Sequence, residues 1–460
     1  MGTKLVWTTD WKALSYILQN DLDWQKGEGL RFTLNRILGN GLLATEGARH
    51  RLQRRVMNPA FGPAQIRELT PIFLDKSVKL RDIWTSLIDP ESGSTQVDAL
   101  SWLSKMTLDV IGEAGFDYKF NALDGEANEL GEAYSSIFRT GHHQNDWFFV
   151  ILGVVQEMFP FLRALPEIHT PLRVAMQTTT RIATELLYDR KTALAAAGEK
   201  GDAWHTKDLL SLCVRSNMSI NLTEEQKMCD DDVISQVRTF LVAGHETTAT
   251  ATTLALLALT ERPDVQQKLR HELLAVATDS PTMDQLNALP YLDVVVRECL
   301  RHYPSGPTTS RVAMKDDVVP LAQPYTDRKG VVHHQLRVKK GTGVFIPIST
   351  INRDKDLWGE DADVFNPDRW ENIPEAAASV PGVWGNMLTF LSGHRACIGW
   401  RFSIVEMKAL LFTLVRAFEF ELAVPREDIL IKRASLVQRP EVKGKGNQLP
   451  LIIKPVRSID

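Results

Sequence analysis

One cysteine, Cys397, lies between two glycines in the run Phe390-Leu-Ser-Gly393-His394-Arg395-Ala-Cys397-Ile-Gly399, directly ahead of a long apolar helical pattern. A sulfur at that point meets the unpaired N–H groups and positive dipole end of a helix, which favour a thiolate, and a cation such as Arg395 lowers its pKa further. A thiolate ligand to a metal is presented in this way; a buried structural cysteine is the competing reading of a cysteine taken alone. Gly393 and Gly399 permit tight turns and let a flat ligand lie against the backbone. The helix that follows, 400 to 418, carries Phe402, Val405, Leu410, Leu414, Val415 and Phe418 on or near one face, with Glu406 and Lys408 between them.

A second set of reactive side chains is Ala243-Gly244-His245-Glu246-Thr247-Thr248, at the centre of an expected helix over 231 to 261. Roughly 30 residues make a helix about 45 Å long, enough to run through the middle of a domain. A mid-helix glycine costs about 1 kcal/mol, and buried polar groups cost more unless bonded. Small Ala243 and Gly244 would leave room for a ligand against the helix, and a hydroxyl and an acid with access to water, Thr247 and Glu246, are suited to deliver protons. The alternative is purely structural: Thr bonded back one turn, Gly for close helix packing.

Glu298 and Arg301 are three apart in Val294-Val-Val-Arg-Glu298-Cys-Leu-Arg301, on one helix face. Their apolar neighbours predict a buried pair, which needs further partners for the guanidinium. In Arg49-His50-Arg51-Leu-Gln-Arg54-Arg55, His50 and Arg54 share one helix face while Arg51 and Arg55 share the next.

Taken together, these segments resemble the cytochrome P-450 family. FxxGxRxCxG is similar to its heme-binding loop, in which the cysteine is the axial iron ligand. Ala243 to Thr248 is similar to its oxygen-activation motif, and Glu298 to Arg301 to its ExxR helix, whose third partner matches Arg369 in Phe365-Asn-Pro367-Asp-Arg369-Trp370. The basic run resembles the helix whose WxxxR contacts a heme propionate, with His50 in the Trp position and Arg54 kept. Arg311, four residues after Pro307, and Arg395 look like further propionate ligands. The resemblance implies a mainly α fold with a small β-sheet, one domain over 1–460, and heme between the central helix and the loop 390–399. Phe390, Gly393, Gly399, Ala243 and Gly244 would line the heme, and Cys397 would bind its iron.

The resemblance further implies a monooxygenase that inserts one atom of O2 into a lipophilic substrate, using heme b and electrons from NADPH through a cytochrome P-450 reductase, with cytochrome b5 as a second donor. The wording looks most like membrane-associated fungal members of secondary metabolism, at the cytosolic face of the endoplasmic reticulum. Such members begin with an anchor and a first strand that are not found before Lys4, and loss of a strand would expose a sheet edge. A heme-thiolate isomerase or dehydratase, and a truncated heme-binding remnant, are the alternatives. Thr247 and Glu246 count against the first, since rearranging a peroxide needs no proton relay.

The surrounding chain is consistent with this. At 460 residues, 44% hydrophobic and 24% charged, it has the composition of a globular protein, and a net charge of −4 supplies no basic field for nucleic acid. Cys213, Cys229, Cys299 and Cys397 form no CxxC pair, which argues against a zinc site or disulfide framework. No apolar run approaches the roughly 20 residues of a membrane span. Helical periodicity is expected over 102 to 114, 172 to 197, 264 to 277 and 290 to 303. Strand character is read at Lys4 to Thr8 and on both sides of a Lys339-Lys340-Gly341-Thr342 turn, at Gln335 to Val338 and Gly343 to Ile348. The aromatic stretch from Trp147 to Leu162 is expected to be core or, by resemblance, a substrate roof that touches the membrane surface.

Overall fold

The computed structural model describes residues 4–125, 129, 170–197, 208–219, 221–434 and 437–456. The stretch from Trp147 to Leu162 lies outside the described residues.

Helices dominate, and the longest, Asp230–Glu261, runs through the interior with most of its 32 residues buried. Asp230, Asp231 and Asp232 occupy its first turn, where negative charge complements the helix dipole, and Asp232 accepts from the Cys229 backbone N–H at 2.9 Å. Three of its buried hydroxyls are satisfied one turn back: Thr239 donates to the Ser235 carbonyl at 2.7 Å, Thr252 to Thr248 at 2.9 Å and Thr253 to Ala249 at 2.7 Å. Helix Ala99–Phe116 packs along it, capped by Asp98 at its start and by Asp117 in the left-handed region at its end. Helix Trp400–Ala417 packs against helix Pro63–Ser86 on one side and the central helix on another. Its apolar positions, with the edge-to-face rings of Phe61, Phe73 and Phe402, form the core beneath the cysteine loop.

The expected helices are present with ends shifted by a few residues: 99–116, 170–197, 230–261, 263–274, 290–302 and 400–417. Helices Trp11–Gln19, Glu28–Leu38 and Gly47–Met57 precede them.

Strands are short. β1 (Leu5–Trp7), β2 (Trp24–Gln25), β4 (Thr309–Ala313) and β7 (Gly343–Ile346) form one sheet in the order β1-β7-β4-β2, with β1 parallel to β7 and the other pairs antiparallel. The register sets Arg311 opposite Val344, on an inner strand. β5 (Asp317–Thr326) and β6 (Val332–Val338) make a two-stranded sheet. The turn at Lys339 to Thr342 therefore joins two sheets rather than closing a hairpin between the strands on either side of it. β3 (Thr95–Asp98), β8 (Phe418–Leu422) and β12 (Pro450–Pro455) form a third sheet, and β9 (Ile429–Ala434), β10 (Val437–Val442) and β11 (Gly446–Asn447) a fourth.

Candidate active site

The cysteine loop is held by its own backbone. The Cys397 N–H donates to the Phe390 carbonyl at 2.9 Å, and Leu391 (φ 57°) and Gly393 (φ 67°) both take left-handed conformations. For leucine that conformation costs on the order of 1–3 kcal/mol and persists only where the surroundings enforce it. Gly393 has a second reason to be glycine, because a Cβ there would lie 2.3 Å from the Leu18 carbonyl oxygen of helix Trp11–Gln19. At Gly399 a Cβ would meet only ordinary contact, 3.6 Å from the Phe61 ring. Phe390 is buried, edge-on to Trp384 at 6.1 Å.

Protein surrounds Cys397 closely enough for burial to push its thiol pKa up, against the Gly399 backbone N–H and the Arg54 charge, which pull it down. Its residue surface is nevertheless exposed. The central helix opens at one place too: Ala243, Gly244 and Thr247 are half-buried amid otherwise buried neighbours. Thr247 donates to the Ala243 carbonyl at 2.6 Å, and its own carbonyl accepts from the Ser305 hydroxyl at 2.9 Å. Thr248 and Ser403 share a 3.0 Å hydrogen bond, tying the central helix to the helix after the cysteine. Gly244 also lets helix Ala99–Phe116 approach, since a Cβ would come within 2.8 Å of the Ile111 side chain. Glu246 is buried and ion-paired with Arg439, with His245 Nδ1 at 3.4 Å from its carboxylate.

Beside the loop is a cluster of buried cations. Arg54 donates to the Ala396 carbonyl at 2.7 Å. Arg395 donates to the Thr45 carbonyl at 2.8 Å, pairs with Glu46, and has Asp21 at 3.5 Å. Arg311 bonds Thr309 Oγ1 at 3.1 Å and the Ser310 carbonyl at 2.7 Å; burial pulls its pKa down to about 10, with Glu46 opposing. Lys26 pairs with Glu46 at 3.1 Å, yet burial lowers its pKa to about 8 despite that partner, helped by the charges of Arg395 and Arg311. His50 is buried with its Nδ1 lacking a hydrogen-bond partner; burial, then the charges of Arg395, Lys26, Arg54 and His394, push its pKa down to about 3. Lys26, Glu46 and Asp21 carry no signal in a sequence motif. Only Glu46, at the N-terminal end of the basic helix Gly47–Met57, stood near one.

Glu298, Arg301 and Arg369 do converge. Arg301 binds the Glu298 carboxylate through two nitrogens at 2.9 and 2.7 Å, and Arg369 joins at 3.0 Å. The Trp370 indole at 3.1 Å and the Asn366 N–H at 2.9 Å complete the acceptors of Glu298. Arg301 also donates to the Asn352 carbonyl at 2.7 Å, while the Asn352 side chain donates to Thr389 at 2.8 Å and accepts from the Leu388 N–H at 3.0 Å. The network thus ends on the residues that lead into Phe390.

An anionic, flat, iron-bearing group fits these residues. The site offers a thiol and an opened helix face, with more cations than carboxylates beside the loop and a buried imidazole nitrogen that has no protein partner. Heme has this chemistry: a metal for sulfur and two propionates for cations.

Comparison with known proteins agrees. The family described as cytochrome P450 matches residues 1–445. The chain is 52% identical to cytochrome P450 monooxygenase 128 of Postia placenta, over 98% of this chain and 83% of that protein. It is 50% identical to monooxygenase 205 of the same fungus, over 99% and 84%. A ganoderic acid synthetase of Ganoderma lucidum is 33% identical over 98% of this chain and 85% of its own length. With a family match spanning nearly the whole sequence and relatives that share half its residues, this chain belongs to the cytochrome P450 family and is a heme-thiolate monooxygenase.

Proposed function

We propose that heme b is held through its iron by Cys397 and through its propionates by Arg54, Arg311 and Arg395, with His50 as a fourth contact. The observation that carries this reading is the exposed Cys397 beside that cation cluster, with Arg54 donating to the carbonyl of the residue before it. When bound, the heme supplies the iron at which O2 is reduced, one oxygen atom entering a lipophilic substrate and the other leaving as water. Phe390, Gly393 and Gly399 shape the loop beneath it. On the other side Ala243 and Gly244 keep the helix surface low, and Thr247 and Glu246 handle protons. The Thr247 hydroxyl, bonded to its own helix, has a fixed direction from which to pass one.

The electrons come from NADPH through a cytochrome P450 reductase, with cytochrome b5 as a further donor. Among the described residues no helix is long and apolar enough to cross a membrane. The endoplasmic reticulum, cytosolic face, is the proposed location on family grounds. Arg51 and Arg55 are exposed on the helix whose other face carries His50 and Arg54, which suits an acidic electron donor.

A reduced carbon-monoxide difference spectrum tests the ligand. The purified chain should give a thiolate-type band and Cys397→Ala should give none; a band surviving in that variant overturns the assignment. Reversing Arg51 and Arg55 to Glu should slow reductase-supported turnover, more so at low salt, and leave peroxide-driven turnover intact. Equal loss in both assays would reject a docking role.

A further inference from the structure

Glu246 does not reach toward the opened face of its helix. Its carboxylate, 3% exposed, pairs with the guanidinium of Arg439, 7% exposed, which projects from β10. His245 is the other titratable neighbour, and its imidazole, pushed down to about 3 by burial and then by Arg439, stays neutral at working pH. The positive charge facing Glu246 is therefore the guanidinium. The strand that bears it is fastened to the same stretch of helix: the Gln438 N–H donates to the Ser305 carbonyl at 2.9 Å, and the Ser305 hydroxyl donates to the Thr247 carbonyl at 2.9 Å. β10 is thus linked to both members of the acid–alcohol pair, to Glu246 by charge and to Thr247 by way of Ser305. Its partner β9 shows exposed Lys432 and Arg433 on the outside.

We propose that Arg439 is a positioning residue for proton delivery: it holds Glu246 ionised and turned toward β10 until the carboxylate takes up a proton. A solvent proton then adds to the Glu246 carboxylate. The carboxylic acid passes it to the Thr247 hydroxyl as that hydroxyl gives its own to the oxygen atom that leaves as water, Glu246 returns to the carboxylate, and no electron moves in the relay. The proposal rests on the reading of Glu246 as a proton carrier.

The test uses the heme-loaded full chain, with the carbon-monoxide band as the check on folding and R439Q as a second neutral variant beside R439L. Infrared spectra of the resting protein should show a carboxylic acid C=O band in R439L and R439Q that is absent from wild type and R439K and is removed by adding E246Q. Product formed per NADPH should fall on the order of 10-fold in R439L, recover in R439K, and fall no further in the R439L/E246Q double variant than in E246Q alone. No new band in either neutral variant, or losses that multiply in the double variant, would overturn the clamp. Should E246Q couple like wild type, the proton-carrier reading fails instead, while the infrared band still decides whether Arg439 holds the carboxylate.

Discussion

Two buried clusters of charge flank the cysteine loop, and they are built on opposite principles. Behind the loop, Arg301 and Arg369 face Glu298 and Asp361, and backbone carbonyls and the Trp370 indole take up the remaining donors and acceptors. Charge is balanced there, guanidinium against carboxylate. Beside the loop, Lys26, Arg54, Arg311 and Arg395, with Arg31 near the edge, face Glu46 and Asp21. Positive charge is in excess, Lys26 and Arg311 have lowered pKa values, and the His50 Nδ1 lacks a partner. The balanced cluster is matched within the protein; the unbalanced one has positive charge left for an anionic ligand to match.

The largest expected effect breaks the balanced cluster. Glu298→Ala leaves the buried Arg301 guanidinium without a carboxylate, while Arg369 keeps Asp361, and should destabilise the protein by about 3–5 kcal/mol, with or without heme. Urea unfolding measures it; a loss confined to the heme-loaded form would mean that this network too is a binding site.

Next comes the unbalanced cluster. Arg311→Met removes one of several like charges, so the heme-free protein should keep its stability to within about 1 kcal/mol. Heme affinity should fall on the order of 10-fold or more, read as faster heme transfer to an acceptor protein. The opposite pattern, lost stability with heme binding retained, would erase the distinction.

The smallest effect concerns pH. His50 in the unbalanced cluster and His302 beside Arg301 both have pKa values lowered from 6.5 to about 3, chiefly by burial. Each is neutral when folded and gains a proton on unfolding, so stability is full above pH 6.5 and declines as pH falls from there toward 3. For His302 the slope is at most about 1.4 kcal/mol per pH unit. Propionates beside His50 would raise its pKa, so loading heme should remove its share of the acid sensitivity and leave that of His302. Thermal melts of H50Q and H302Q, with and without heme, separate the two.

Local signals were readable in proportion to how local their physics is. The cysteine loop, the central helix and the Glu298–Arg301 pair are each written within about ten to thirty residues, because helix periodicity and turn chemistry depend on near neighbours. The roles of particular glycines were harder. Gly393 is required by the Leu18 carbonyl and Gly244 accommodates Ile111, both contacts across the fold rather than along it. Strand partners were also hidden: the run around Lys339 to Thr342 looks like a hairpin, yet its strands belong to different sheets, since pairing is decided by which edges the packed helices bring together.

By itself the sequence determined the family and the helical class, since the motifs that carry them rest on residue type and short spacing. Only the tertiary structure decided which charges are matched and which are in surplus. Lys26, Glu46 and Asp21 join Arg311 and Arg395 from distant parts of the chain, and Arg439 reaches Glu246 from a strand 193 residues away in numbering. The physical reason is that electrostatic energy depends on distance and burial in space, neither of which is encoded at any one position of the chain.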